Sequence, residues 1–320
     1  MIQLGKDRWK NLSEFVGDIK MEDKKFKGIY SAIFSVYDEN LNVKKDTVKQ
    51  MVDYQLDNGL KGFYVGGNTG ECTVLPARTR KEMLETVIEA NNGRGKVMAH
   101  IGAGHFDEVK DMIDHANNCN IDAIASLPPS LQSYYNHNET IEYYKYLAKN
   151  SKHPVYAYVT PISMQHSELI SFAKELSEID NIVGLKVTIP DYYRFERINL
   201  IDNGRLNNLN GPDEMLVCGL SVGADGAIGT SYNILPKIAV NIYNSFINND
   251  MKTALENQHK LNAFIQKMLI GKGIIYWKTA LSLLGFDMGY TVFPANAIME
   301  EDMKRLKADM DEIGFFDLIK

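Results

Sequence analysis

The sequence predicts a (β/α)8 TIM barrel with a C-terminal helical extension. Two observations lead to this fold class. First, short apolar or β-branched runs alternate with longer runs of helical spacing, and eight such units follow one another between residues 28 and 250. Second, the turn after the first strand reads YDENLN and contains no glycine. The rival doubly wound sheet usually carries a glycine-rich phosphate loop at that place, so the closed barrel is favoured.

The strands are predicted from short runs rich in β-branched and aromatic residues, beginning with GIYSAIFSV. They span residues 28–36, 62–65, 97–101, 123–127, 155–159, 182–187, 206–210 and 226–229. The helices are predicted where apolar residues recur every three or four positions. They span residues 46–58, 76–91, 107–118, 138–150, 167–179, 191–203, 213–223 and 235–249, and Asp46 and Asn138 are the predicted N-caps of the first and fourth.

Two further segments flank the predicted barrel of residues 28–250. Residues 1–27 are polar and charged, ending in KMEDKKFK, and are predicted to form a solvated arm. Residues 251–320 show helical spacing in MKTALENQHKLNAFIQKML and in WKTALSLLG. No linker rich in proline, glycine or serine precedes them, so we expect a helical extension that packs on the barrel.

Composition and charge exclude several classes of protein. The 320 residues are 45% hydrophobic and 24% charged, with a net charge of −6, which argues against disorder and against a nucleic-acid binder. The start of the chain lacks the apolar core of a signal peptide, and no run approaches the roughly 18 apolar residues of a membrane span. Cys72, Cys119 and Cys218 lie far apart, which suits reduced thiols. We therefore expect a cytoplasmic protein without a membrane or nucleic-acid partner.

Lys186 is the most informative residue of the chain. It lies in IVGLKVTI, an almost wholly apolar strand, and the strands of a barrel alternate between the interior and the helix-facing side. A lysine buried on either side must be paired or must give up its charge. A desolvated lysine is a nucleophile near neutral pH and forms Schiff bases with carbonyl compounds. The alternative is a lysine that extends from the strand end to solvent.

Two neighbouring features could act with such a lysine. Tyr158 ends the adjacent strand, and a phenol beside an amine or imine nitrogen can serve as a general acid or base. Its alternative is a core tyrosine with a bonded hydroxyl. The sequence GGNTGE at residues 66–71 exposes successive backbone N–H groups beside Thr69, a nest that suits a carboxylate, although such a turn is more often only a turn.

Other chemistries find no support in the sequence. The seven histidines are scattered, with no H-x-H or H-E-x-x-H motif, so we expect no metal site. The segment GAGH at residues 102–105 is too short for a dinucleotide fingerprint. No G-x-S-x-G elbow occurs, which argues against an α/β-hydrolase.

Four motifs together resemble those of the N-acetylneuraminate lyase and dihydrodipicolinate synthase family, the class I pyruvate aldolases built on a (β/α)8 barrel. In chain order they are GGNTGE at residues 66–71, YVTP at 158–161, GLK at 184–186 and GADGAIGTSYN at 223–233. They look like the family's pyruvate-carboxylate loop, catalytic tyrosine, Schiff-base lysine and eighth-strand motif, the last in a form close to the lyase branch. The resemblance covers about residues 27–296.

This resemblance implies a role for each central residue. Lys186 would form an imine with the keto carbon of pyruvate or of the substrate, so no cofactor is expected. Tyr158 would move protons to and from the aldol hydroxyl, and Thr69 would hold the carboxylate. The protonated imine would then accept the electrons left by carbon–carbon cleavage.

The resemblance also favours the lyase branch over the synthase branch. In the lyases a Gly-x-Asp-Glu turn after strand seven binds the polyhydroxy chain of the sugar acid, and residues 211–214 match it. Considered alone, these carboxylates would be N-terminal charges of a helix. The synthase branch has an arginine shortly after the tyrosine motif, where this chain has Ser163. The implied sugar-acid contacts are Thr188, Gly211, Asp213, Glu214 and Thr230.

Three departures from the family pattern leave the substrate open. Asn68, also predicted to lie at the substrate, replaces a serine or threonine whose hydroxyl links the catalytic tyrosine to a second tyrosine from a neighbouring subunit. An amide can hydrogen-bond but is a poor proton relay. The second tyrosine would be the catalytic Tyr134, or Tyr135 beside it, but two extra residues precede the pair. The loop after Pro161 reads ISMQHS and lacks the family's usual glycine.

The sequence thus predicts a Schiff-base aldolase that cleaves or forms a 2-keto-3-deoxy sugar acid. The first choice is N-acetylneuraminate, cleaved to N-acetylmannosamine and pyruvate. The alternatives are a dihydrodipicolinate synthase-like condensation, another 2-keto-3-deoxy acid aldolase or dehydratase, and a non-catalytic small-acid binding protein. The expected partners are pyruvate, a sugar aldehyde and, by resemblance, further copies of the chain in a homotetramer.

Overall fold

The computed structural model describes residues 26–128, 136–160, 168–271, 273–292, 295 and 300–319. Eight parallel strands close into a barrel, because each strand pairs with the next and the last pairs with the first. The strands are β1 (Gly28–Ile33), β2 (Gly62–Val65), β3 (Lys96–His100), β4 (Ala123–Ser126), β5 (Val155–Val159), β6 (Ile182–Val187), β7 (Asn207–Asn210) and β8 (Gly226–Gly229). The predicted fold class is confirmed, and each predicted strand is present.

Helices alternate with these strands along the chain. They are α1 (Lys45–Asp57), α2 (Ala77–Asn91), α3 (Phe106–Ala116), α4 (His137–Asn150), α5 (Leu169–Ser177), α6 (Tyr192–Asn199), α7 (Leu216–Ser221) and α8 (Pro236–Ile247). Helix α7 is shorter than predicted, because residues 213–215 form a separate 3-10 turn. The helix predicted over 191–203 ends at Asn199, since Asp202 and Asn203 adopt the left-handed conformation in the 3-10 turn that follows.

Both predicted N-caps are wrong. Helix α1 follows Lys44, which makes no side-chain cap, and Asp46 lies inside the first turn, where its charge complements the helix dipole. Helix α4 is capped by Asn136, whose side chain accepts from the backbone N–H of Glu139 at 3.0 Å. The Glu139 carboxylate accepts in return from the N–H of Asn136 at 2.8 Å. This reciprocal box starts the helix before Asn138.

The core has two apolar layers, which the alternation of side chains along each strand keeps apart. In β5, residues 155, 157 and 159 belong to the mainly aliphatic layer between strands and helices, whereas residues 156 and 158 point into the barrel. The barrel interior is rich in aromatic side chains. Its buried members are Phe26, Tyr30, Ala32, Tyr64, Met98, Ala123, Ala125, Tyr156, Tyr158, Leu209 and Ile228.

Phe26 closes the amino-terminal end of the barrel. Its ring centroid lies 5.2 Å from that of Tyr30 and 5.4 Å from that of Tyr156, and the residue is 1% exposed. The side chain of Asn207 accepts from the N–H of Phe26 and donates to its carbonyl, both at 2.9 Å. Phe26 is therefore part of the barrel core, although the sequence placed it in the polar arm. Residues 1–25 of that arm lie outside the described residues.

The C-terminal extension is helical, as predicted, and packs against the barrel helices. Its helices are α9 (Met251–Leu269), α10 (Ile274–Ser282), α11 (Glu300–Glu312) and α12 (Phe315–Leu318). Gln258 of α9 accepts from the backbone N–H of Val217 and donates to the carbonyl of Asp213, both at 3.0 Å. Phe315 stacks on Phe264 with 5.6 Å between the ring centroids. None of the helices in the described ranges combines the length and the apolar character that a membrane span requires.

Replacing Phe26 by alanine should destabilise the protein strongly. The substitution removes a buried ring from the closed end of the barrel and leaves a cavity, which typically costs about 3–5 kcal/mol. Urea unfolding of Phe26→Ala measures the loss. The control is Tyr193→Ala, because Tyr193 is 68% exposed and its truncation should change stability by less than about 0.5 kcal/mol. Equal stabilities of the two variants would contradict the closing role of Phe26.

Candidate active site

The predicted site residues converge on one end of the barrel. All strands are parallel, so their carboxyl ends meet at the same mouth. The described site residues belong to the ends of β2, β5, β6, β7 and β8 or to the turns that follow them. Tyr134, predicted after β4, lies outside the described residues, as does Tyr135.

Lys186 and Tyr158 point into the barrel side by side. They are register partners on β6 and β5, so both side chains leave the sheet on the same face. Lys186 is 5% exposed and Tyr158 4% exposed. The Nζ atom of Lys186 lies 4.2 Å from the centroid of the Tyr158 ring. The side chain of Lys186 is therefore buried in the barrel and does not extend to solvent.

Tyr64 forms the other wall around the Lys186 amine, and sequence reasoning missed it. The ring centroid of Tyr64 lies 4.5 Å from Nζ, and the ring meets that of Tyr158 edge to face at 6.1 Å. Burial raises the pKa of Tyr64 well above its usual range, so its phenol stays neutral. Gly67 leaves room for this ring, because a Cβ at that position would lie 2.2 Å from Tyr64. Barrel alternation in GFYV was the signal that could have found it.

Among the described residues, no carboxylate forms an ion pair with the Lys186 amine. Its Nζ contacts there are the faces of Tyr64 and Tyr158. Burial, followed by the positive charges of Arg80 and Lys186, holds the pKa of His100 well below its usual range. The Nε2 atom of this neutral imidazole accepts from the N–H of Leu127 at 3.2 Å. The faces of two rings therefore line the Lys186 nitrogen, and neither ring adds a negative charge.

A pair of hydroxyls lies at the same mouth. Thr69 and Thr230 bring their Oγ1 atoms within 2.6 Å of each other, although they are far apart in the sequence. Thr69 is 8% exposed. Asn68, beside it, is exposed, and its Oδ1 accepts from the Cys72 thiol at 3.5 Å. The loop therefore presents the Thr69 hydroxyl inward and the Asn68 amide outward.

Asp213 joins the turn after β7 to the turn after β8. Its Oδ2 accepts from both the backbone N–H and the hydroxyl of Ser231, each at 2.6 Å. Burial raises its pKa to about 6, against the opposing effect of these two hydrogen bonds. The positive charge of Lys186 also acts on this carboxylate, so the two groups share one electrostatic environment. Ser231 is a second residue that the sequence reasoning missed, and it immediately follows Thr230.

The remaining predicted sugar contacts surround this link. Gly211 packs so closely on Thr188 that a Cβ would lie 1.8 Å from the threonine Oγ1. That Oγ1 is buried without a hydrogen-bond partner among the described residues. Glu214 is exposed, and its backbone carbonyl accepts from the Asn262 amide at 3.1 Å. The mouth thus offers a hydroxyl, a buried carboxylate and an exposed carboxylate around the buried amine.

This arrangement suits the chemistry of an anionic carbonyl compound. A buried amine can attack a carbonyl carbon, the adjacent phenol can move a proton, and hydroxyls with backbone N–H groups can hold a carboxylate. Across the described ranges, no three histidine, cysteine, aspartate or glutamate side chains come together in a way that could hold a metal ion.

Comparison with known proteins identifies relatives along most of the chain. The family model described as the dihydrodipicolinate synthetase family matches residues 25–313. The N-acetylneuraminate lyase of Rhizobium meliloti is 30% identical over 286 residues, which cover 88% of this chain and 94% of that protein. The 4-hydroxy-tetrahydrodipicolinate synthase of Methanocaldococcus jannaschii is 27% identical over 296 residues, covering 90% and 99%.

A solved structure gives the same result in three dimensions. The N-acetylneuraminate lyase from Mycoplasma synoviae superimposes with a TM-score of 0.80 at 30% identity, covering 91% of this chain and 99% of that one. The family predicted from the four motifs is thereby confirmed. The relatives carry two different enzyme names, N-acetylneuraminate lyase and 4-hydroxy-tetrahydrodipicolinate synthase, so the match to the family does not by itself give the substrate.

Replacing Asp213 by asparagine should remove a pH-dependent part of the stability. Burial raises the pKa of Asp213 from 3.8 to about 6, so the folded state binds this proton more tightly than the unfolded chain does. The contribution of the protonated Asp213 carboxyl to the free energy of unfolding is fully present below about pH 4. On the order of 3 kcal/mol of this contribution is lost as the pH rises through about 6. Urea unfolding across this interval should therefore show the wild type losing stability relative to Asp213→Asn.

The control for this experiment is Glu256→Gln, at an exposed carboxylate of α9. Its stability should differ from that of the wild type by a constant amount over the same pH interval. A constant difference for Asp213→Asn as well would show that this carboxyl titrates normally in the folded protein.

Proposed function

This chain belongs to the dihydrodipicolinate synthetase family of class I aldolase lyases, and on that basis we propose that it is a Schiff-base aldolase for a 2-keto-3-deoxy sugar acid. One observation supports the proposal above the others. The Lys186 amine lies inside the barrel, 4.2 Å from the Tyr158 ring, with no carboxylate paired to it among the described residues. A buried amine beside a phenol is the arrangement that imine formation needs, whereas binding of a small acid alone needs no imine.

In the proposed reaction, Nζ of Lys186 attacks the keto carbon of the substrate. The carbonyl oxygen takes one proton from Nζ and one from the Tyr158 hydroxyl and leaves as water, so that a protonated imine on Nζ and a Tyr158 phenolate remain. Tyr158 accepts the proton of the aldol hydroxyl while the bond between carbons 3 and 4 breaks, and the electron pair moves into the imine to form an enamine. The aldehyde departs. The enamine then takes this proton from Tyr158 at carbon 3. Water hydrolyses the imine, its protons pass to Nζ and to the Tyr158 phenolate, and pyruvate and the free amine are released.

The substrate's carboxylate would bind at the Thr69 loop. The Thr69 and Thr230 hydroxyls are 2.6 Å apart, and backbone N–H groups of residues 66–71 lie in the same turn. Hydroxyl and amide donors of this kind suit a carboxylate. The loop also carries the charged Glu71, which forms an ion pair with Lys278.

N-acetylneuraminate, cleaved to N-acetylmannosamine and pyruvate, is the first-choice substrate. The turn of residues 211–214 lies at the same mouth as Lys186, and its carboxylates are good acceptors for the hydroxyls of a sugar chain. The N-acetylneuraminate lyase of R. meliloti at 30% identity supports this choice. The sequence has Ser163, not an arginine, after the tyrosine motif, where a second substrate carboxylate would otherwise be bound.

A dihydrodipicolinate-type condensation is the second candidate. It is favoured by the match to the M. jannaschii synthase, which extends over 99% of that protein at 27% identity. In that reaction the same imine would become the enamine nucleophile, and an amino aldehyde would replace the sugar aldehyde. The proposed mechanism needs no organic cofactor in either case, because the imine on Lys186 supplies the electron sink.

The proposal extends to assembly and compartment. We propose a homotetramer, from the family resemblance, in which Tyr134 of a neighbouring subunit completes the proton relay. The exposed side chain of Asn68 beside Thr69 suits a contact with another subunit. Cys72, Cys119 and Cys218 are free thiols, which supports a reducing compartment such as the cytoplasm.

Borohydride trapping tests the imine directly. Wild-type protein incubated with pyruvate and reduced should carry a covalent adduct on Lys186, located by peptide mass spectrometry, because reduction makes the imine irreversible. Lys186→Met should carry none. Lys61→Met, at an exposed lysine near the opposite end of the barrel, should form the adduct like the wild type. The proposed function would be wrong if the wild-type protein formed no adduct, or if the adduct formed only on other lysines.

Glu214→Gln tests the sugar-acid assignment. If this carboxylate accepts hydrogen bonds from the sugar chain, KM for N-acetylneuraminate cleavage should rise about tenfold, the effect of losing about 1.4 kcal/mol of binding. The pyruvate concentration that half-saturates borohydride trapping should stay unchanged, because pyruvate has no sugar chain. If the wild-type protein does not cleave N-acetylneuraminate but condenses pyruvate with aspartate semialdehyde, the sugar-acid assignment is wrong and the dihydrodipicolinate-type condensation is favoured.

A further inference from the structure

A buried ion pair joins the C-terminal extension to the loop that carries Thr69. Lys278 of α10 places its Nζ 2.5 Å from Oε1 of Glu71, the last residue of the GGNTGE motif. The two side chains are 3% and 6% exposed. Lys278 is 207 positions away from Glu71 along the chain, so no sequence motif joins the two residues.

Tyr37 completes this cluster. Its hydroxyl donates to the second oxygen of Glu71, Oε2, at 2.6 Å, and its ring centroid lies 4.3 Å from Nζ of Lys278. Nζ also donates to the carbonyl of Tyr290 at 3.3 Å, and the N–H of Val292 donates to the Tyr37 hydroxyl at 3.3 Å. Each carboxylate oxygen therefore has its own partner, and the extension supplies several of the contacts.

Burying two charges is costly unless something is gained from their position. Desolvation lowers the pKa of Lys278 below its usual range, while the charge of Glu71 opposes this shift. A buried ion pair often adds little net stability compared with apolar side chains of similar size. Stability alone therefore gives no reason for a lysine and a glutamate at these two positions.

The backbone of the loop indicates what the pair does. Glu71 has a φ of 61°, in the left-handed region that non-glycine residues seldom adopt. The residue before it is held as well, because Ser35 donates its hydroxyl to the carbonyl of Gly70 at 2.8 Å. Thr69 is two residues from Glu71. Fixing the Glu71 side chain therefore fixes the turn that places the Thr69 hydroxyl 2.6 Å from that of Thr230.

The ion pair also neutralises the negative charge of Glu71 in the loop. An unpaired Glu71 carboxylate would face an anionic keto acid from within the same six-residue turn. Lys278 cancels that charge while leaving the backbone N–H groups and the Thr69 hydroxyl available. The loop can then bind a carboxylate instead of repelling it.

We propose that Lys278 and Glu71 are positioning residues, through which the C-terminal extension holds the Thr69 loop in the conformation that binds the carboxylate of the keto acid. This inference rests on the proposed aldolase function and deepens it, because it makes the extension part of the functional unit. Neither residue is proposed to touch the reacting atoms.

Three variants separate positioning from simple destabilisation. Lys278→Met leaves Glu71 buried without its cation, Glu71→Gln removes the negative charge at constant shape, and the double variant removes both charges. The matched control is Lys267→Met, which breaks a partly buried ion pair with Glu312 and Asp309 in the same extension, away from the loop. Urea unfolding reports stability. The pyruvate concentration that half-saturates borohydride trapping on Lys186 reports carboxylate binding.

In Lys278→Met and in the double variant we expect half-saturation by pyruvate to need about ten times more ligand, because the loop no longer holds its donors in place. The double variant should regain stability relative to Lys278→Met, since no charge is left unpaired. It should not regain pyruvate binding. The rate of trapping at saturating pyruvate should change far less than the half-saturating concentration.

The reactivity of Cys72 gives a readout that does not depend on turnover. Cys72 follows Glu71 in the loop and is 7% exposed. In a Cys119→Ser/Cys218→Ser background, its reaction with N-ethylmaleimide should be slow. Lys278→Met should accelerate this reaction about tenfold under conditions where the protein remains folded, because the loop opens locally. Lys267→Met should leave the rate unchanged.

The outcomes keep this inference separate from the proposed function. If wild-type protein forms no adduct with pyruvate, the proposed function fails, and the Cys72 rates still decide whether Lys278 holds the loop. If wild-type protein forms the adduct, but the double variant binds pyruvate normally and Cys72 stays protected, the positioning role is wrong. The positioning role would also be wrong if the double variant regained pyruvate binding as well as stability. The ion pair would then serve only to stabilise the fold.

Discussion

The alternation of side chains in a closed barrel is the constraint on which the rest of this molecule depends. Each side chain of a strand points either into the barrel or toward the helices. Tyr64, Tyr158 and Lys186 all point inward near the same mouth, so they must share a small, dehydrated volume. Two aromatic faces line the nitrogen there, without the negative charge that a carboxylate would add. That environment is compatible with an anionic substrate approaching the same nitrogen.

The placement of the other charges follows the same logic. The Asp213 carboxylate is directed to Ser231, and Glu71 is neutralised by Lys278. Both acids therefore serve to hold turns together: one joins the turns after β7 and β8, and the other joins the β2 turn to the C-terminal extension. The two Ser231 donors oppose the effect of burial on the Asp213 carboxylate, and Lys278 cancels the charge of Glu71. These contacts hold both turns in place and leave Glu214 as the exposed carboxylate of the mouth.

Much of the fold was predictable because its signals are local. A strand such as IVGLKVTI and its register partner YAYV show their character within a few residues, and the lysine and tyrosine are recognisable in those runs. Helix boundaries were less accurate, since Asn136 and Asn138 are both plausible caps and only the return bond from Glu139 distinguishes them. Phe26 was assigned to a polar arm because its neighbours are charged, although its ring is in the barrel core.

The sequence by itself determined the strand and helix order, the positions of Lys186 and Tyr158 on adjacent strands, and the four motifs that resemble the family. All of these depend on neighbouring residues or on short motifs. The tertiary structure decided which groups act on one another. Tyr64 beneath the Lys186 amine, Ser231 on Asp213 and Lys278 on Glu71 are contacts between distant segments. The physical reason is that desolvation and pairing depend on what surrounds a group in space, and a spacing pattern along the chain carries no information about those neighbours.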